Sequence, residues 1–290
     1  MFAITGITGK VGGAVARHLI AQGHKIRAVV RSEEKGRHWA PLGCDVATAT
    51  VEDHVALATA FDNTDGVFLM TPPNFDPEPG FPQTKHAAAA IRHAIESARP
   101  RKIVFLSTVG AHVTEPNLLN NSMLTEQMLQ STSVPVAFLR AAWFMENAAW
   151  DVESARAGVI RSFLQPLDHA IPMVATADIA QVTAELLNET WSGSRIVELE
   201  GPQRYSANDI AAGFSLALGR AVRAESVPRD TWESLFRSQG MKNPMPRMRM
   251  IDGFNEGWID FEFGAAKSRK GTTRLESVLE SLVAEVRGRK

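Results

Sequence analysis

Met1-Phe-Ala-Ile-Thr-Gly6-Ile-Thr-Gly9-Lys-Val-Gly12-Gly13 sets the architecture of the chain. Phe2 to Ile4 is a short apolar run that reads as a strand. Gly6, Gly9 and Gly12 follow at intervals of three, and Ala14, Val15, Leu19 and Ile20 then recur at helical spacing. A strand, a tight glycine turn and a helix N-terminus are therefore expected. Glycines at these places let the chain turn sharply, approach a phosphate and pack helix against strand. The helix N-terminus offers unpaired N–H groups and a positive dipole end, which suits a dinucleotide pyrophosphate. A nucleoside-triphosphate P-loop is excluded, because Val11 follows Lys10 where a Ser or Thr is required, and Ile4 stands five residues before Gly9.

Strand and helix patterns alternate beyond this unit. Strands are expected at 25–30, 45–49, 66–70, 102–106 and 136–139, and helices at 55–61, 86–98 and 123–130. Residues 71–81 read as a proline-rich loop. This rhythm predicts an α/β, doubly wound parallel sheet of Rossmann type. After Arg140 the rhythm loosens. A helix is expected over 144–156, another capped by Asp178 and ending near Leu187, and a strand over 196–199. Ser206 and Asp209 have capping-box spacing for a helix ending near Gly219. Asp230 is read as the cap of a helix holding Trp232, Leu235 and Phe236. Leu275, Val278, Leu279, Leu282, Val283 and Val286 place one apolar stripe on a tail helix. The expected organisation is a dinucleotide-binding core over 1–150 and a smaller α+β substrate lobe over 151–290, packed on the core with segments that return to it.

Composition narrows the class. The chain has 290 residues, 44% hydrophobic and 22% charged, with a formal net charge of −1. No global field favours nucleic acid or an anionic membrane, and neither a basic patch nor a helix-turn-helix pattern stands out. The single cysteine, Cys44, rules out an intrachain disulfide and a cysteine-based zinc site, and no metal site is expected. No apolar run reaches transmembrane length, and the first residues read as a strand, not a leader, so a cytoplasmic protein is expected.

The second strand ends in Val29-Val30-Arg31-Ser32. An acidic residue at that end accepts bonds from the ribose hydroxyls of NAD, whereas an arginine accommodates the 2′-phosphate of NADP. Arg31, with Lys35 and Arg37 nearby, favours NADP(H) over NAD(H), although Glu33 and Glu34 compete for the same cations.

Several motifs together resemble the NmrA-like family, atypical members of the short-chain dehydrogenase superfamily. They are Thr5-Gly-x-x-Gly-x-x-Gly12, Val30-Arg31-x-x-x-Lys35, Phe105-Leu-Ser-Thr-Val-Gly-Ala111, Glu126, Phe138-Leu-Arg-x-x-x-Phe-Met-Glu-Asn147 and Ala177-Asp-Ile-Ala180. The resemblance implies that Gly6, Thr8, Gly9, Lys10 and Val11 cradle the pyrophosphate and that Arg31 and Lys35 hold the 2′-phosphate. It implies that Thr71 and Pro72 flank the path from adenosine to nicotinamide. Ser107 and Thr108 would then lie near the nicotinamide, and Phe144 and Asn147 would line the same cleft.

The tyrosine-dependent members of that superfamily use Tyr-x-x-x-Lys as acid and base. Here the only tyrosine is Tyr205, and the residue four further on is Asp209. The lysine that some plant reductases use ahead of the position of Glu126 is also missing from Leu118–Thr125. Two functions fit. One is an NADPH-dependent reductase of a quinone-like or other conjugated small molecule, needing little help with its proton. The other is an NADP(H)-binding redox sensor acting through a protein partner. Trp143, Phe144, Met145, Trp150, Trp232, Phe254 and Trp258, with Met241, Met245, Met248 and Met250, tilt the reading toward a reductase, though most also suit a lobe core. His112, His169 and Glu126 are the candidate proton donors. A homodimer or a protein partner remains open.

Overall fold

The structure, a computed structural model, describes residues 1–287. Strand β1 (Phe2–Ile4) leads into helix α1 (Lys10–Ala21). The alternation continues through β2 (Ile26–Val30), the one-turn α2 (Glu33–Gly36), β3 (Asp45–Thr48), α3 (His54–Phe61), β4 (Gly66–Leu69), α4 (Pro82–Ala98), β5 (Ile103–Thr108), α5 (Asn120–Gln130) and β6 (Val136–Ala141). The second half holds β7 (Trp143–Phe144), α6 (Val152–Arg156), β8 (Val159–Ser162), β9 (Met173–Val174), α7 (Thr176–Asn188), β10 (Ser194–Glu200) and α8 (Ala207–Leu218). It ends with β11 (Arg223–Ser226), α9 (Trp232–Ser238), α10 (Met245–Glu256), β12 (Arg269–Lys270) and α11 (Leu275–Arg287).

The main sheet is eight-stranded, in the order β3-β2-β1-β4-β5-β6-β10-β12, with every neighbouring pair parallel. The strand order reverses between β1 and β4, which opens a crevice beyond their carboxyl ends. Parallel strands covered on both faces carry near-continuous apolar runs. In β5, Ile103 and Phe105 face a layer containing Ile91, Ile95 and Leu129 of α4 and α5, while Val104 faces the layer of Val15, Leu19 and Leu187 from α1 and α7. The Rossmann expectation holds. Two small parallel pairs, β8 with β11 and β7 with β9, lie outside the main sheet.

Three expectations are corrected. Residues 144–156 are not one helix: Phe144 pairs with Val174 as a strand, Met145–Asp151 forms a 3₁₀ segment, and only Val152–Arg156 is α-helical. Asp178 is not an N-cap. Helix α7 starts two residues earlier, and Glu146 Oε1 accepts from the backbone N–H of Thr176 at 2.8 Å and from its hydroxyl. Asp178, buried in the first turn, instead accepts from the Thr273 N–H and, at 2.8 Å, from its hydroxyl. Asp230 sits inside a 3₁₀ turn, and Thr231 occupies the N-cap position of α9. In the first two, tertiary contacts outweighed local signals; in the third, a local 3₁₀ turn closed by Thr231 on the Pro228 carbonyl moved the cap position by one residue.

The capping box at Ser206 and Asp209 is present, and Gly219 ends α8 at φ +65°. The apolar stripe of α11 buries Leu275, Val278, Leu279, Leu282 and Val283. Two polar contacts fix where this helix starts. Asp178 holds Thr273, and the Tyr205 hydroxyl, buried in the core, accepts from the Leu275 N–H at 3.2 Å. Substitution Asp178→Ala is expected to lower stability by about 2 kcal/mol, because the Thr273 donors lose a buried charged acceptor. Urea unfolding of the two proteins measures this difference.

Candidate functional site at the carboxyl edge of the sheet

The glycine turn is built by close backbone contacts. Gly6 adopts φ +60°, and a Cβ there would stand 2.4 Å from Met70 Sδ. A Cβ on Gly12 would stand 2.4 Å from the Gly6 carbonyl oxygen and 2.9 Å from the Ile7 nitrogen. The turn closes with Gly9 N–H donating to Gly6 O at 2.9 Å. The end of β1 is tied to the end of β4: the Thr5 hydroxyl accepts from Met70 N–H at 2.8 Å, and Thr5 N–H donates to Phe68 O. Gly9 is the N-cap of α1, and no side chain caps the helix. Its first-turn N–H groups therefore face outward, where an anion would be stabilised. These features fit a dinucleotide pyrophosphate.

The residues expected at the site lie at the ends of five neighbouring strands. Arg31 follows β2, Gly6 to Val11 follow β1, Thr71 and Pro72 follow β4, Ser107 and Thr108 end β5, and Phe144 follows β6. Thr8, Gly9, Lys10, Arg31 and Lys35 are exposed; Val11 is buried, which leaves only its backbone to serve a ligand. Among the described residues no ion pair joins Arg31 or Lys35 to Glu33 or Glu34. Thr71, Thr108, Phe144 and Asn147 are half-buried. His169 Nε2 lies 3.1 Å from the Phe254 carbonyl, and His112 is exposed. Trp232, Phe254, Met145, Met248 and Met250 belong to the lobe core, whereas Trp150 and Met245 are exposed.

Ser107 is only 4% exposed, and its hydroxyl donates to Glu126 Oε1. Glu126 also receives a two-pronged hydrogen bond from Arg140, with Nε at 3.0 Å and Nη2 at 2.7 Å. This occupancy makes Glu126 a structural carboxylate. Arg140 reaches on to Glu262, and Glu198 accepts from the N–H groups of Glu262 and Phe263. Ser107, Arg140 and Glu198 are in register across β5, β6 and β10. Burial alone would lower the Arg140 pKa, but the bonds and charges of Glu126 and Glu262 outweigh it and raise the pKa above its ordinary value. Burial pushes Glu198 upward, against the two N–H donors and Arg140. No local pattern points to Glu262, which meets Arg140 across 122 residues.

A cavity of about 360 Å³ runs between α1 and α11, lined by Lys10, Ala14, Arg17, Ser281 and Glu285, with Glu146 and Thr176 also on its wall. It meets the strand-end site only at Lys10. Among the described residues no group of three metal-ligating side chains occurs, and no helix is long and apolar enough to cross a membrane.

The sequence profile of the NmrA-like family matches residues 1–270. The chain belongs to the NmrA-like family. Relatives that it resembles include a (4-alkanoyl-5-oxo-2,5-dihydrofuran-3-yl)methyl phosphate reductase of Streptomyces griseus, 29% identical over 79% of this chain and 78% of the relative. An NAD(P)H azoreductase of Xenophilus azovorans is 25% identical over 88% of this chain and 85% of the relative. Among solved structures, the NADPH-dependent quinone oxidoreductase of Escherichia coli complexed with NADPH superposes with a TM-score of 0.80 at 24% identity, covering 97% of this chain and 99% of the other.

Two outcomes follow from the buried charges. Arg140→Met leaves Glu126 buried without its cation and is expected to cost about 3–5 kcal/mol of stability, measured by urea unfolding. Asp151, at the end of the 3₁₀ segment, is pushed up to about 6 by burial, from an ordinary 3.8. The folded state therefore binds its proton more tightly than the unfolded state, and this contribution is lost as pH rises from 3.8 toward 6. Asp151→Asn carries no such penalty. It is expected to be on the order of 2 kcal/mol more stable than the parent at neutral pH, with the difference vanishing in acid below the ordinary carboxylate range. Thermal or urea midpoints across that range read the effect.

Proposed function

We propose that this chain is an NAD(P)H-dependent oxidoreductase that reduces a quinone-like or other conjugated small molecule by hydride transfer. The observation that carries the reading is the glycine turn and uncapped α1 at the strand-order reversal, in a chain similar to proteins named as a quinone oxidoreductase, an NAD(P)H azoreductase and a dihydrofuranylmethyl phosphate reductase. Residues 1–150 would hold the cofactor, and 151–290 would supply the substrate lobe. Gly6, Thr8, Gly9, Lys10 and the backbone of Val11 would hold the pyrophosphate, and Thr71, Pro72, Ser107 and Thr108 would border the nicotinamide half. Bound there, the dihydronicotinamide would supply the hydride. Phe144 and Asn147 would line the acceptor side.

The preference for NADP(H) rests on Arg31, just past the end of β2, and Lys35 of α2, both exposed on the side where a 2′-phosphate would lie. Acid–base help from a tyrosine–lysine pair is not part of this reading. Tyr205 is buried, accepts from the Leu275 N–H, and has its pKa raised by burial. The chain's work is therefore positioning: two flat conjugated systems are stacked so that hydride passes between them. Quinones and azo compounds suit such a site, because their reduced products are delocalised and can take a proton from water.

NADPH consumption with a panel of naphthoquinones, azo dyes and conjugated carbonyls tests the reading. Turnover with at least one class is expected, and NADPH binding without any turnover would overturn it. Arg31→Ala is expected to weaken NADPH binding by about tenfold, the worth of one charge-assisted bond, with NADH affinity little changed. Tighter binding of NADH than NADPH by the parent protein would reverse the cofactor preference.

A further inference from the structure

Three segments far apart in sequence converge over the carboxyl ends of β4 and β5. The first is the loop 71–81 after β4, the second the loop 109–119 after β5, and the third residues 242–246 at the start of α10. One carboxylate joins the first to the third: Asp76 accepts from the Lys242 N–H at 2.8 Å through Oδ2 and from the Asn243 N–H at 2.6 Å through Oδ1. The second and third are joined by Leu118 N–H donating to the Pro246 carbonyl at 2.9 Å. Asn121 of α5 completes the set by donating to the carbonyls of Asn74 and Leu118.

This latch has a consequence for two apolar side chains. Phe75 precedes Asp76 and is 48% exposed, and Met245 lies two residues beyond Asn243 and is 52% exposed. The latch thus joins the chain segments that carry an aromatic ring and a thioether, both exposed to water, at the edge where a parallel α/β sheet receives its ligands. Exposed apolar groups clustered at a cleft mark a surface that something covers. Benzenoid and thioether groups match a flat conjugated molecule, the ring by stacking and the sulfur by its polarisability.

We propose that Phe75 and Met245, held together by the Asp76 latch, form the outer wall of the acceptor site and select flat, apolar, conjugated substrates. The proposal rests on the reductase reading above and deepens it. Asp76 is a positioning residue: its carboxylate accepts from the backbone N–H groups of residues 242 and 243. Phe75 and Met245 cover the face of the acceptor turned away from the cofactor. Losing either shortens the apolar wall without disturbing the glycine turn.

The test uses the full chain loaded with NADP⁺, so that no turnover can occur, and follows a naphthoquinone titrated by calorimetry. The parent is expected to bind it. Phe75→Ala and Met245→Ala are each expected to weaken binding by about fivefold, as expected for loss of part of a buried apolar side chain. Asp76→Ala is expected to weaken it by at least as much. NADP⁺ affinity is expected to stay within about twofold of the parent, which also reports that each variant is folded. A parent that does not bind naphthoquinone would overturn the proposal, as would variants that bind it like the parent. Binding through this wall with no reduction by NADPH of any acceptor tested would leave the wall standing and defeat the reductase reading.

Discussion

The backbone at Gly12 passes so close to the Gly6 carbonyl that even one methyl group would collide with it, at 2.4 Å from the oxygen. The ligand edge depends on this contact. It lets α1 begin directly above the end of β1, pointing its N-terminus along the crevice between β1 and β4. Thr5 then pins the end of β1 to Phe68 and Met70 of the neighbouring strand, so the floor of the crevice cannot spread. The uncapped helix start and the fixed floor together leave a set of N–H donors with no partner of their own kind.

A second polar system holds the far half of the same edge. Ser107, Glu126, Arg140, Glu262 and Glu198 link the ends of β5, β6 and β10 to the segment that follows α10. Buried charges of this kind are retained only where every partner is in place. The network therefore does more than hold a sheet edge. It sets the position of residues 259–264, in which Ile259 packs on Gly110 and Asp260 pairs with Arg204. The second half of the chain is thus joined to the first by charge as well as by apolar packing.

The parts legible in the sequence were those encoded locally. The glycine spacing, the apolar runs of β1 to β6, the capping box at Ser206 and the stripe of α11 each lie within about a dozen residues, and each was readable as periodicity or turn chemistry. The failures share a cause. Asp178 looks like a helix cap because capping is a short-range signal, yet its true partner is Thr273, 95 residues away, and the cap belongs to Glu146. Residues 144–156 look helical because Met, Glu and Ala favour helix, yet Phe144 is drawn into a strand by Val174. Arg140 stood inside a recognised motif, but only the fold reveals that it joins two acids. Asp76 sits in a proline-rich loop with nothing in the sequence to relate it to residues 242 and 243.

The tail helix has a consequence for the order in which the molecule is completed. Helix α11 packs on α8 and on the 3₁₀ segment 145–151, and its approach is fixed by Asp178 and Tyr205. The strands β1 to β6 come first in chain order, and each after β1 pairs in parallel with one that precedes it. The segment bearing Phe144 and Asn147, by contrast, is covered by a helix encoded far downstream of it, and chains fold broadly in the order of synthesis. The sheet edge can therefore take shape before the segment at 144–147 acquires its cover.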